Sequence, residues 1–481
     1  MLPSFFFEKK GKKILTLDFH VLLSNYFFSA LFSVFFLSSP SHPAMVKSVK
    51  TSIRELMGCD VAIGSLCDVR VMDIERCSKK AQFETLLREY ADYFYPKLKN
   101  GRNISTSAWL AAVPVSLRVS VEDVVNYLGM LVAIDFRHWG EDTSDVAAVG
   151  SRVEGFCGFY AAVPAEGIDE DMPAGSSGRR LIRGSMAMVH LLRRAVEKED
   201  LRWYCPIFLQ QFRTTEEALE ALKCCFVGCK EDGCTPMQMP ATRERVELLM
   251  SLSRSLLERD TSYYKMLCTC EGYLYGDVPS RLGFIEMLVE LHPRYHDVCV
   301  LGSREKESER ADGDNCIVVP ALKLAQLTAI AVDEAVSAIN SNVAGTTGPS
   351  DGNISDSVTR LPLFKDRCHL TVCCDYQLPK ALRSLGLMEY SPRLASLVDG
   401  GVLLTPGGAE ECSIRVGALV ASERLLDYLN SPHFITTSSA SDAEGGRRIW
   451  DAAMVDSMLW WIGRHYVGES VRHHLCRTIM Y

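Results

Sequence analysis

Apolar residues recur at three- and four-residue spacing along most of the chain, a pattern typical of amphipathic helices. The pattern predicts helices over 73–98, 121–132, 186–197, 215–225, 241–258, 283–291, 319–339 and 451–464. Strand-like alternation is brief by comparison, and the sequence has no internal repeat of the length that solenoids and propellers use. We therefore expect a mainly α fold class with few short strands.

Three polar, glycine-rich stretches interrupt this pattern, at 165–179, 303–315 and 341–360. Gly, Ser, Asp and Glu dominate them, and such residues cannot bury enough apolar surface to build a core. We expect these stretches to be loops or disordered insertions.

Residues 1–44 differ from the rest of the chain, because lysines precede an uncharged apolar run at 21–37. This order is typical of a signal peptide or membrane anchor, although the run is at the short limit for crossing a bilayer. The alternative, which we favour, is that Met45 is the true start and that 1–44 is a mispredicted extension. We expect one domain over 45–481, and a membrane partner only if the leader is expressed.

The 481 residues carry 52 Lys and Arg against 60 Asp and Glu, a formal net charge of −8. Proteins bind nucleic acids largely by neutralising phosphates with Lys and Arg, and this balance offers no surplus of cations. We therefore expect a small-molecule partner and no direct contact with nucleic acid.

The chain has 18 cysteines, several of them adjacent within apolar runs, as at 373–374. Free Cys in such a run acts as a small hydrophobe, and adjacent cysteines bridge each other only with strain. This usage indicates a reduced, cytoplasmic protein. A zinc site from Cys225, Cys229, Cys234 and Cys270 is conceivable, but none of these forms a C-x2-C pair. We predict no metal and no cofactor.

The sequence lacks the signatures of P-loop hydrolases, dinucleotide oxidoreductases, zincins and α/β-hydrolases, so candidate chemistry comes from dispersed side chains. The first candidate segment is "HLTVCCDYQLPKALRSLGLMEYS", residues 369–391. Pro379 suits the first turn of a helix and Gly386 suits the end of one. The pattern therefore places Asp375 and Tyr376 at the start of a helix, directly after the apolar part of the segment. Asp375 is either a simple N-cap or an ionised carboxylate that stabilises a developing cation.

The second candidate segment is "IWDAAMVDSMLWWIGR", residues 449–464. Helical spacing places Asp456, Leu459, Trp460 and Gly463 on one face. Asp is rarely buried without a partner. The pattern therefore indicates either a pocket that holds a polar ring system or an ion pair between Asp456 and a buried Arg.

Two further segments carry aromatic and titratable side chains. In "AIDFRHWG", residues 133–140, Phe136 and Trp139 are either core residues or stacking surfaces, and His138 is titratable. The C-terminal segment "VRHHLCRTIMY" is densely polar, with His473, His474, Arg477 and Tyr481. Chain ends usually fray, so we expect this one to be tied down.

Together these segments resemble the queuosine 5′-phosphate N-glycosidases, the queuosine salvage proteins, from about Ser48 to Tyr481. In family order the chain contains "SVKTSIREL", "AIDFRHWG" where the family commonly has an Asn-Phe-x-Phe-Trp type sequence, "RGSMAMVHLLRRA", "GFIEMLVELHPRYHDV", "ALKLAQLTA", "CCDYQLPKALRSLGLMEYS", "SIRVGALVASERL", "DSMLWWIGR" and "HHLCRTIMY". The Asp-Tyr-x-x-Pro element followed by Leu-Gly and Tyr-Ser is the most specific of these features.

The resemblance implies hydrolysis of the N-glycosidic bond of queuosine 5′-phosphate, which releases queuine for salvage into tRNA modification. It also implies a two-lobed helical fold similar to helical DNA glycosylases, with the ligand in a cleft between the lobes. Asp375 matches the motif aspartate and is the expected catalytic residue, and Asp456 matches a position that hydrogen-bonds the base. The remaining substrate-binding candidates are Tyr376, Phe136, Trp139, Trp460 and Cys373 and, for the phosphate, Lys323, Arg464, His474 and Arg477.

The chain departs from the family pattern at four places. It lacks a His shortly after Trp109, has Cys373 where Phe is frequent, has Ser457 in place of an aromatic residue, and has Trp461 in place of an acid. Lost contacts of this kind affect substrate affinity more than the fold. The alternative function is therefore a non-catalytic homologue that binds queuine or a related nucleotide.

Overall fold

A computed structural model describes residues 48–58, 68–87, 107–141, 147–153, 156–164, 179–276, 281–302, 317–346, 364–432, 434, 450–467 and 471–481. The leader-like segment at 1–44 lies outside the described residues. So do nearly all of the three glycine-rich stretches, except that 341–346 are helical and Arg179 begins a strand. The predictions for these segments stay predictions.

Helices account for most of the described residues, as the apolar spacing predicts. They are α1 (Val49–Met57), α2 (Ala108–Ala112), α3 (Val121–Ala133), α4 (Ser185–Glu199), α5 (Pro206–Leu209), α6 (Thr215–Leu222), α7 (Thr242–Glu258), α8 (Tyr263–Thr269), α9 (Phe284–Leu291), α10 (Lys323–Thr346), α11 (Gln377–Ser384), α12 (Pro392–Asp399), α13 (Ala409–Leu429) and α14 (Ala452–Trp461). Residues 80–87 are also helical, and a π-helix, Ile462–Tyr466, continues α14.

The strands are short and form small sheets. They are β1 (Val69–Val71), β2 (Trp139–Glu141), β3 (Phe156–Gly158), β4 (Tyr160–Pro164), β5 (Arg179–Arg183), β6 (Val227–Cys229), β7 (Pro236–Gln238), β8 (Val298–Leu301), β9 (Ile317–Pro320), β10 (Met388–Tyr390), β11 (Leu403–Leu404) and β12 (Leu475–Cys476). The largest sheet has the order β5-β4-β6-β7 and is antiparallel. The other sheets pair β1 with β10, β2 with β3, β8 with β9 and, in parallel, β11 with β12. The mainly α fold with few short strands is therefore confirmed.

Helix α13 runs through the core, and nearly all of its residues are buried. A helix that is buried all round is usually apolar on every face, but this one also buries Glu411, Arg415 and Glu423. It contacts α11, α14, β1 and β8, while α10 packs along α3. These contacts bring the starts of α10 and α11 close to the end of α3.

Two predicted helices begin later than the apolar spacing indicates. The segment 73–98 opens with the short 3₁₀ turn Ile74–Arg76 before helix continues at 80–87. The segment 319–339 starts with β9, and α10 begins only at Lys323. A short apolar run such as 317–320 fits a buried strand as well as a helix, and Pro320 removes a backbone donor there.

None of the described helices is both long enough and apolar enough to cross a membrane. The apolar run at 21–37 lies outside the described residues. The likeness to helical DNA glycosylases stays a prediction.

Candidate active site

Helix ends converge on one cavity in the described part of the chain. Its walls come from the segment after α3, the starts of α4, α10 and α11, the end of α14 with its π-helix, and the C-terminal segment. The lining residues are Asp135, Phe136, His138, Ser185, Lys323, Asp375, Tyr376, Gln377, Trp460, Arg464 and Tyr481. The space not filled by atoms is about 350 Å³, and the space open to the centres of water molecules is about 30 Å³. The cavity is therefore narrow for a small-molecule site.

Asp375 follows the buried run 370–374 and lines the cavity. Its Oδ1 accepts hydrogen bonds from the backbone N–H of Gln377 at 2.7 Å and of Leu378 at 3.2 Å, which fixes the side chain at the start of α11. Among the described residues, no group donates a hydrogen bond to Oδ2. Burial raises the pKa of Asp375, against the lowering effects of Lys323 and the two N–H groups.

Asp456 lies beside Asp375 without lining the cavity itself. Its Oδ1 accepts the backbone N–H of Cys373 at 2.7 Å, which ties α14 to the run that leads to Asp375. Burial, and then the negative charge of Asp375, raise the pKa of Asp456 to about 7. The sequence left two alternatives for Asp456, a ligand pocket or an ion pair with a buried Arg. Among the described residues Asp456 forms no ion pair with Arg, and the backbone N–H of Cys373 holds it instead.

Lys323 supplies positive charge at the cavity wall. Its Nζ donates to the backbone oxygen of Asp135 at 3.0 Å and lies 3.5 Å from Oδ2 of the same residue. The other carboxylate oxygen of Asp135 lies 2.9 Å from Nε2 of His138. Burial raises the pKa of Asp135, but the charge of Lys323 and the hydrogen bond with His138 outweigh it and hold that pKa well below its usual range.

Two buried arginines hold the segment that carries Asp135 and His138. Arg245 donates to the backbone oxygens of Ile134 at 3.2 Å and Arg137 at 3.2 Å, and Arg294 donates to the backbone oxygen of Ala133 at 2.7 Å. Their guanidinium groups lie 4.4 Å and 4.9 Å from the centre of the Phe136 ring. Cation–π contacts of this kind are strengthened when they are desolvated, so the position of Phe136 in the wall is fixed from behind.

A buried ion pair braces the other walls. Arg415 in α13 binds both carboxylate oxygens of Asp297 at 2.6 Å. The same carboxylate accepts the backbone N–H of Lys323 at 3.0 Å, and Arg415 also donates to the backbone oxygen of Cys374 at 3.4 Å. The guanidinium lies 4.4 Å from the ring of Tyr481. One side chain thus links the start of α10, the run before Asp375 and the C-terminal residue.

Aromatic rings form a layer at one side of the cavity. The ring of Tyr376 lies 4.5 Å from that of His473, which in turn lies 6.4 Å from that of Trp139. Trp460 lies in the wall, with Arg464 5.1 Å above its ring. A flat, polarisable ligand ring could stack against Tyr376 or Trp460.

Arg464 is the second cation of the wall. It donates to the backbone oxygen of Arg183 at 2.6 Å, and burial lowers its pKa to about 10, so it stays charged at neutral pH. It lies against the start of α4, because a Cβ on Gly184, whose φ is +67°, would come within 3.0 Å of its Nη1. Ser185, the first residue of α4, lines the cavity beside it.

The structure brings together six of the side chains that the sequence singled out as site residues. Asp375, Tyr376, Phe136, Trp460, Lys323 and Arg464 all line the cavity. The other predicted site residues do not line it. Cys373 and Asp456 lie directly behind Asp375, Trp139 lies behind His473, and His474 and Arg477 are engaged elsewhere.

The engagements of the two C-terminal candidates are specific. Nε2 of His474 lies 2.9 Å from the Tyr481 hydroxyl, and burial lowers the pKa of His474 to about 3, so it is neutral. Arg477 binds the carboxylate of Glu141 at 2.6–2.8 Å. These contacts tie the C-terminal segment down, as the sequence predicts, and leave the cavity cations to Lys323 and Arg464.

Sequence reasoning did not single out Asp135, Ser185 or Gln377, which also line the cavity. Gln377 follows the motif aspartate by two positions, so its place next to Asp375 was accessible from the sequence. Ser185 follows Gly184 at the start of a predicted helix, a weaker signal. Asp135 gave no local signal, because its partner Lys323 lies 188 positions away.

Comparison with known proteins adds a family match. Residues 354–481 match the family model described as queuosine salvage protein. A protein of Dictyostelium discoideum named queuosine 5′-phosphate N-glycosylase/hydrolase is 30% identical over 118 residues, which is 24% of this chain and 32% of that protein. A protein of Nematostella vectensis with the same name is 28% identical over 124 residues, which is 24% of this chain and 35% of that protein.

The match therefore spans about a third of the length of these curated relatives. The matched part of this chain contains Asp375, Asp456 and Arg464. The resemblance to the queuosine salvage proteins is thus confirmed for the C-terminal quarter of the chain, which carries most of the cavity wall.

Proposed function

We propose that this protein hydrolyses the N-glycosidic bond of queuosine 5′-phosphate and releases queuine. One observation carries the proposal: the Asp375 carboxylate lies in a cavity, and one of its oxygens has no hydrogen-bond donor among the described residues. It lies next to a second carboxylate, Asp456, and within a wall that also holds Lys323 and Arg464. The names of the two curated relatives support the choice of substrate.

Asp375 acts on the sugar side of the bond. Cleavage of a glycosidic bond builds positive charge on the anomeric carbon, and a fixed carboxylate stabilises that charge more in the transition state than in the ground state. Oδ1 of Asp375 is anchored by two backbone N–H groups, so Oδ2 can be held in place without reorganisation. A 7-deazapurine has carbon at position 7 and cannot be protonated there as a purine can. Bond cleavage therefore depends more on the stabilisation of the positive charge on the sugar by this carboxylate.

Asp456 acts on the base side. Its raised pKa of about 7 means that a large fraction of the carboxyl carries a proton at neutral pH. The walls must open to admit a nucleotide, and Asp456, which lies behind Asp375, then reaches the departing base and donates a hydrogen bond or a proton to it. Asp375, whose negative charge Lys323 and the two N–H groups favour, is the ionised partner. Two carboxyls with separated tasks are the arrangement that glycosidic hydrolysis commonly uses.

Lys323 and Arg464 bind the 5′-phosphate in this proposal. Both line the cavity, and both are cationic groups that can donate hydrogen bonds to phosphate oxygens. Ser185 and the start of α4, which lie beside Arg464, add backbone donors and the positive end of the helix dipole. His474 and Arg477 are not assigned to the phosphate, since their polar atoms are engaged with Tyr481 and Glu141.

Release of the base tests the proposal directly. The full chain is incubated with queuosine 5′-phosphate, and free queuine is measured by mass spectrometry, with guanosine 5′-phosphate as the control nucleotide. We expect queuine from the first nucleotide and no guanine from the second. Absence of queuine at high protein concentration would overturn the proposal.

The second candidate function is ligand binding without cleavage. The narrow cavity, with about 30 Å³ open to water centres, favours it because a nucleotide requires the walls to open. A ligand that binds only the native state raises the melting temperature. Thermal stabilisation by queuosine 5′-phosphate with no release of queuine would identify a binding protein.

A further inference from the structure

Asp135 and His138 form a hydrogen-bonded pair within the cavity wall. Oδ1 of Asp135 lies 2.9 Å from Nε2 of His138, and both residues line the cavity that contains Asp375. His138 is only 8% exposed. Arg245 holds the backbone oxygens of Ile134 and Arg137, each of which comes one residue before a member of the pair, so the backbone that carries the imidazole is fixed.

The charges around the pair determine where its proton lies. The low pKa of Asp135 makes it a carboxylate, which can only accept, so Nε2 of His138 carries the proton and Nδ1 carries a lone pair. Burial lowers the pKa of His138, against the raising effect of Asp135 and with the further lowering effects of Arg245 and Lys323. At neutral pH the imidazole is therefore neutral and Nδ1 is a proton acceptor.

Nδ1 of His138 has no hydrogen-bond partner among the described residues, although it is buried. An unsatisfied buried acceptor destabilises the folded state, because it has lost its hydrogen bond to water and gained none in return. Lys323 already compensates the charge of Asp135, so a histidine is not needed there to neutralise it. A purely structural role for His138 therefore does not explain why its Nδ1 is left unsatisfied. Arg137, which lies between the two residues, has the uncommon φ of +39°, so the backbone is also strained at this point.

The cavity has space for the ligand that such an acceptor requires. About 30 Å³ is open to the centres of water molecules, which is enough for one or two waters. A water molecule bound there would share this small space with Asp375. Asp135 engages Nε2 of the imidazole, and Nδ1 is the ring nitrogen that has no partner among the described residues.

We propose that His138, positioned by Asp135, is the general base that activates the hydrolytic water, an inference that rests on the proposed function. One O–H bond of the water breaks and its proton goes to Nδ1. The water oxygen bonds to the anomeric carbon, and the electron pair of the C–N bond leaves with the base. The Asp456 carboxyl gives its proton to the departing nitrogen, and His138 returns its own proton to Asp456 through solvent, so the protons balance.

The test compares two variants of His138. In His138→Gln the side chain can still donate to Asp135 and accept at the other end, but it cannot take up a proton. We expect kcat to fall about 10²-fold, the lower end of the range for general-base catalysis. In His138→Ala the same loss should occur, and added imidazole should restore a measurable part of it, because the deletion leaves space for the free base. A structural role would not give rescue by imidazole.

The pH profile gives a second measure. The titratable groups that surround His138 are Asp135, Arg245 from α7 and Lys323 from α10, with Asp375 and Arg464 also in the cavity wall. The wild type should lose kcat on the acid side, as His138 is protonated, and on the alkaline side, as Asp456 is ionised. In His138→Gln the fall in kcat caused by protonation of His138 should disappear, and the alkaline fall should remain. A fall at lower pH, caused by protonation of Asp375, should also remain.

The outcomes separate this inference from the proposed function. If the wild type releases no queuine, the proposed function fails. If the wild type is active and His138→Gln has the same kcat and pH profile, only the role of His138 fails. The double variant Asp135→Asn/His138→Gln should be no slower than His138→Gln alone, since residues that act as a unit are not additive. A fully additive loss would overturn the positioning role of Asp135.

Discussion

The two oxygens of Asp375 have different tasks, and a single substitution separates them. Asp375→Asn keeps an oxygen that can accept the N–H groups of Gln377 and Leu378, and Asn caps helix starts about as well as Asp. It removes the charge that faces the cavity. We expect turnover of queuosine 5′-phosphate to fall about 10²-fold or more, with little change in melting temperature.

The measurement pairs single-turnover kinetics with thermal unfolding. Asp260→Asn is a suitable control, because Asp260 is 97% exposed and, among the described residues, its carboxylate pairs only with Lys265 on the surface. The control should match the wild type in both measurements. An Asp375→Asn protein with full turnover would remove this carboxylate from the mechanism.

Asp456 should make stability depend on pH. Its pKa is about 7 in the folded protein, against an ordinary value of 3.8, because burial and Asp375 disfavour the charge. Between these values the folded state binds more protons than the unfolded state, so the free energy of unfolding falls as pH rises from about 4 through 7. Asp456→Asn keeps an acceptor for Cys373 and carries no charge to bury.

We therefore expect Asp456→Asn to gain stability relative to the wild type as pH rises from 5 to 8, by up to a few kcal/mol. Urea unfolding of both proteins at the two pH values measures this difference. A gain that is the same at pH 5 and pH 8 would show that Asp456 is not protonated in the folded state. The variant should at the same time lose the alkaline limb of its rate profile.

At the scale of the elements, the helices were predictable and their arrangement at the cavity was not. Apolar spacing defines α3, α4, α7 and α9 to within two residues, because the apolar residues of each helix are the ones that pack into the core. The same spacing misplaced the start of α10, since it cannot separate a short strand from a helix. Leu322, with φ of +45°, makes the turn into α10 and so sets Lys323 in the cavity wall.

The start of α4 depends on Gly184. Its φ of +67° suits glycine, and a Cβ would lie 3.0 Å from Nη1 of Arg464. Gly184→Ala should cost about 1–3 kcal/mol of stability through backbone strain. It should also displace Arg464 and raise KM for queuosine 5′-phosphate several-fold, because this arginine binds the phosphate in the proposed function.

Gly150→Ala provides the matched control. Gly150 has φ of +83°, but a Cβ there meets nothing within 4 Å. It should therefore share the loss of stability and keep the wild-type KM. If the two variants have the same KM, then Gly184 affects stability only through its backbone conformation. The start of α4 would then not determine the position of the Arg464 side chain.

At the scale of the whole molecule, the candidate site could be predicted only where its residues adjoin a local pattern. Asp375 and Tyr376 follow an apolar run and precede a helix, so the sequence itself indicates a helix start with a carboxylate. Asp135, Ser185 and Lys323 meet through tertiary packing. Asp135 had no local signal, Ser185 had only a weak one, and Lys323 was a candidate only through the family resemblance. His474 and Arg477 resemble phosphate donors in the sequence, but distant partners engage them, and those partners cannot be read from spacing.

The pair Asp297–Arg415 connects several of these distant parts, and its loss should affect both stability and function. In Asp297→Ala, Glu411 at 3.7 Å is the one acid left among the described residues to pair with the buried Arg415. The backbone N–H of Lys323 also loses its acceptor. Removal of one partner of a buried pair typically costs about 3–5 kcal/mol. We expect a loss of this size in urea unfolding and a rise in KM, since Lys323 loses its fixed position.

The pair Arg383–Asp399 is the appropriate reference, because it has the same two-contact geometry, at 2.7 and 2.8 Å, with Asp399 53% exposed. Asp399→Ala should cost about 0–1 kcal/mol and leave KM unchanged. The double variant Asp297→Leu/Arg415→Met should recover much of the stability lost in Asp297→Ala, because it leaves no unpaired charge, but not the wild-type KM. Equal losses for Asp297→Ala and Asp399→Ala would contradict the bracing role, because the buried charge would then cost no more than an exposed one.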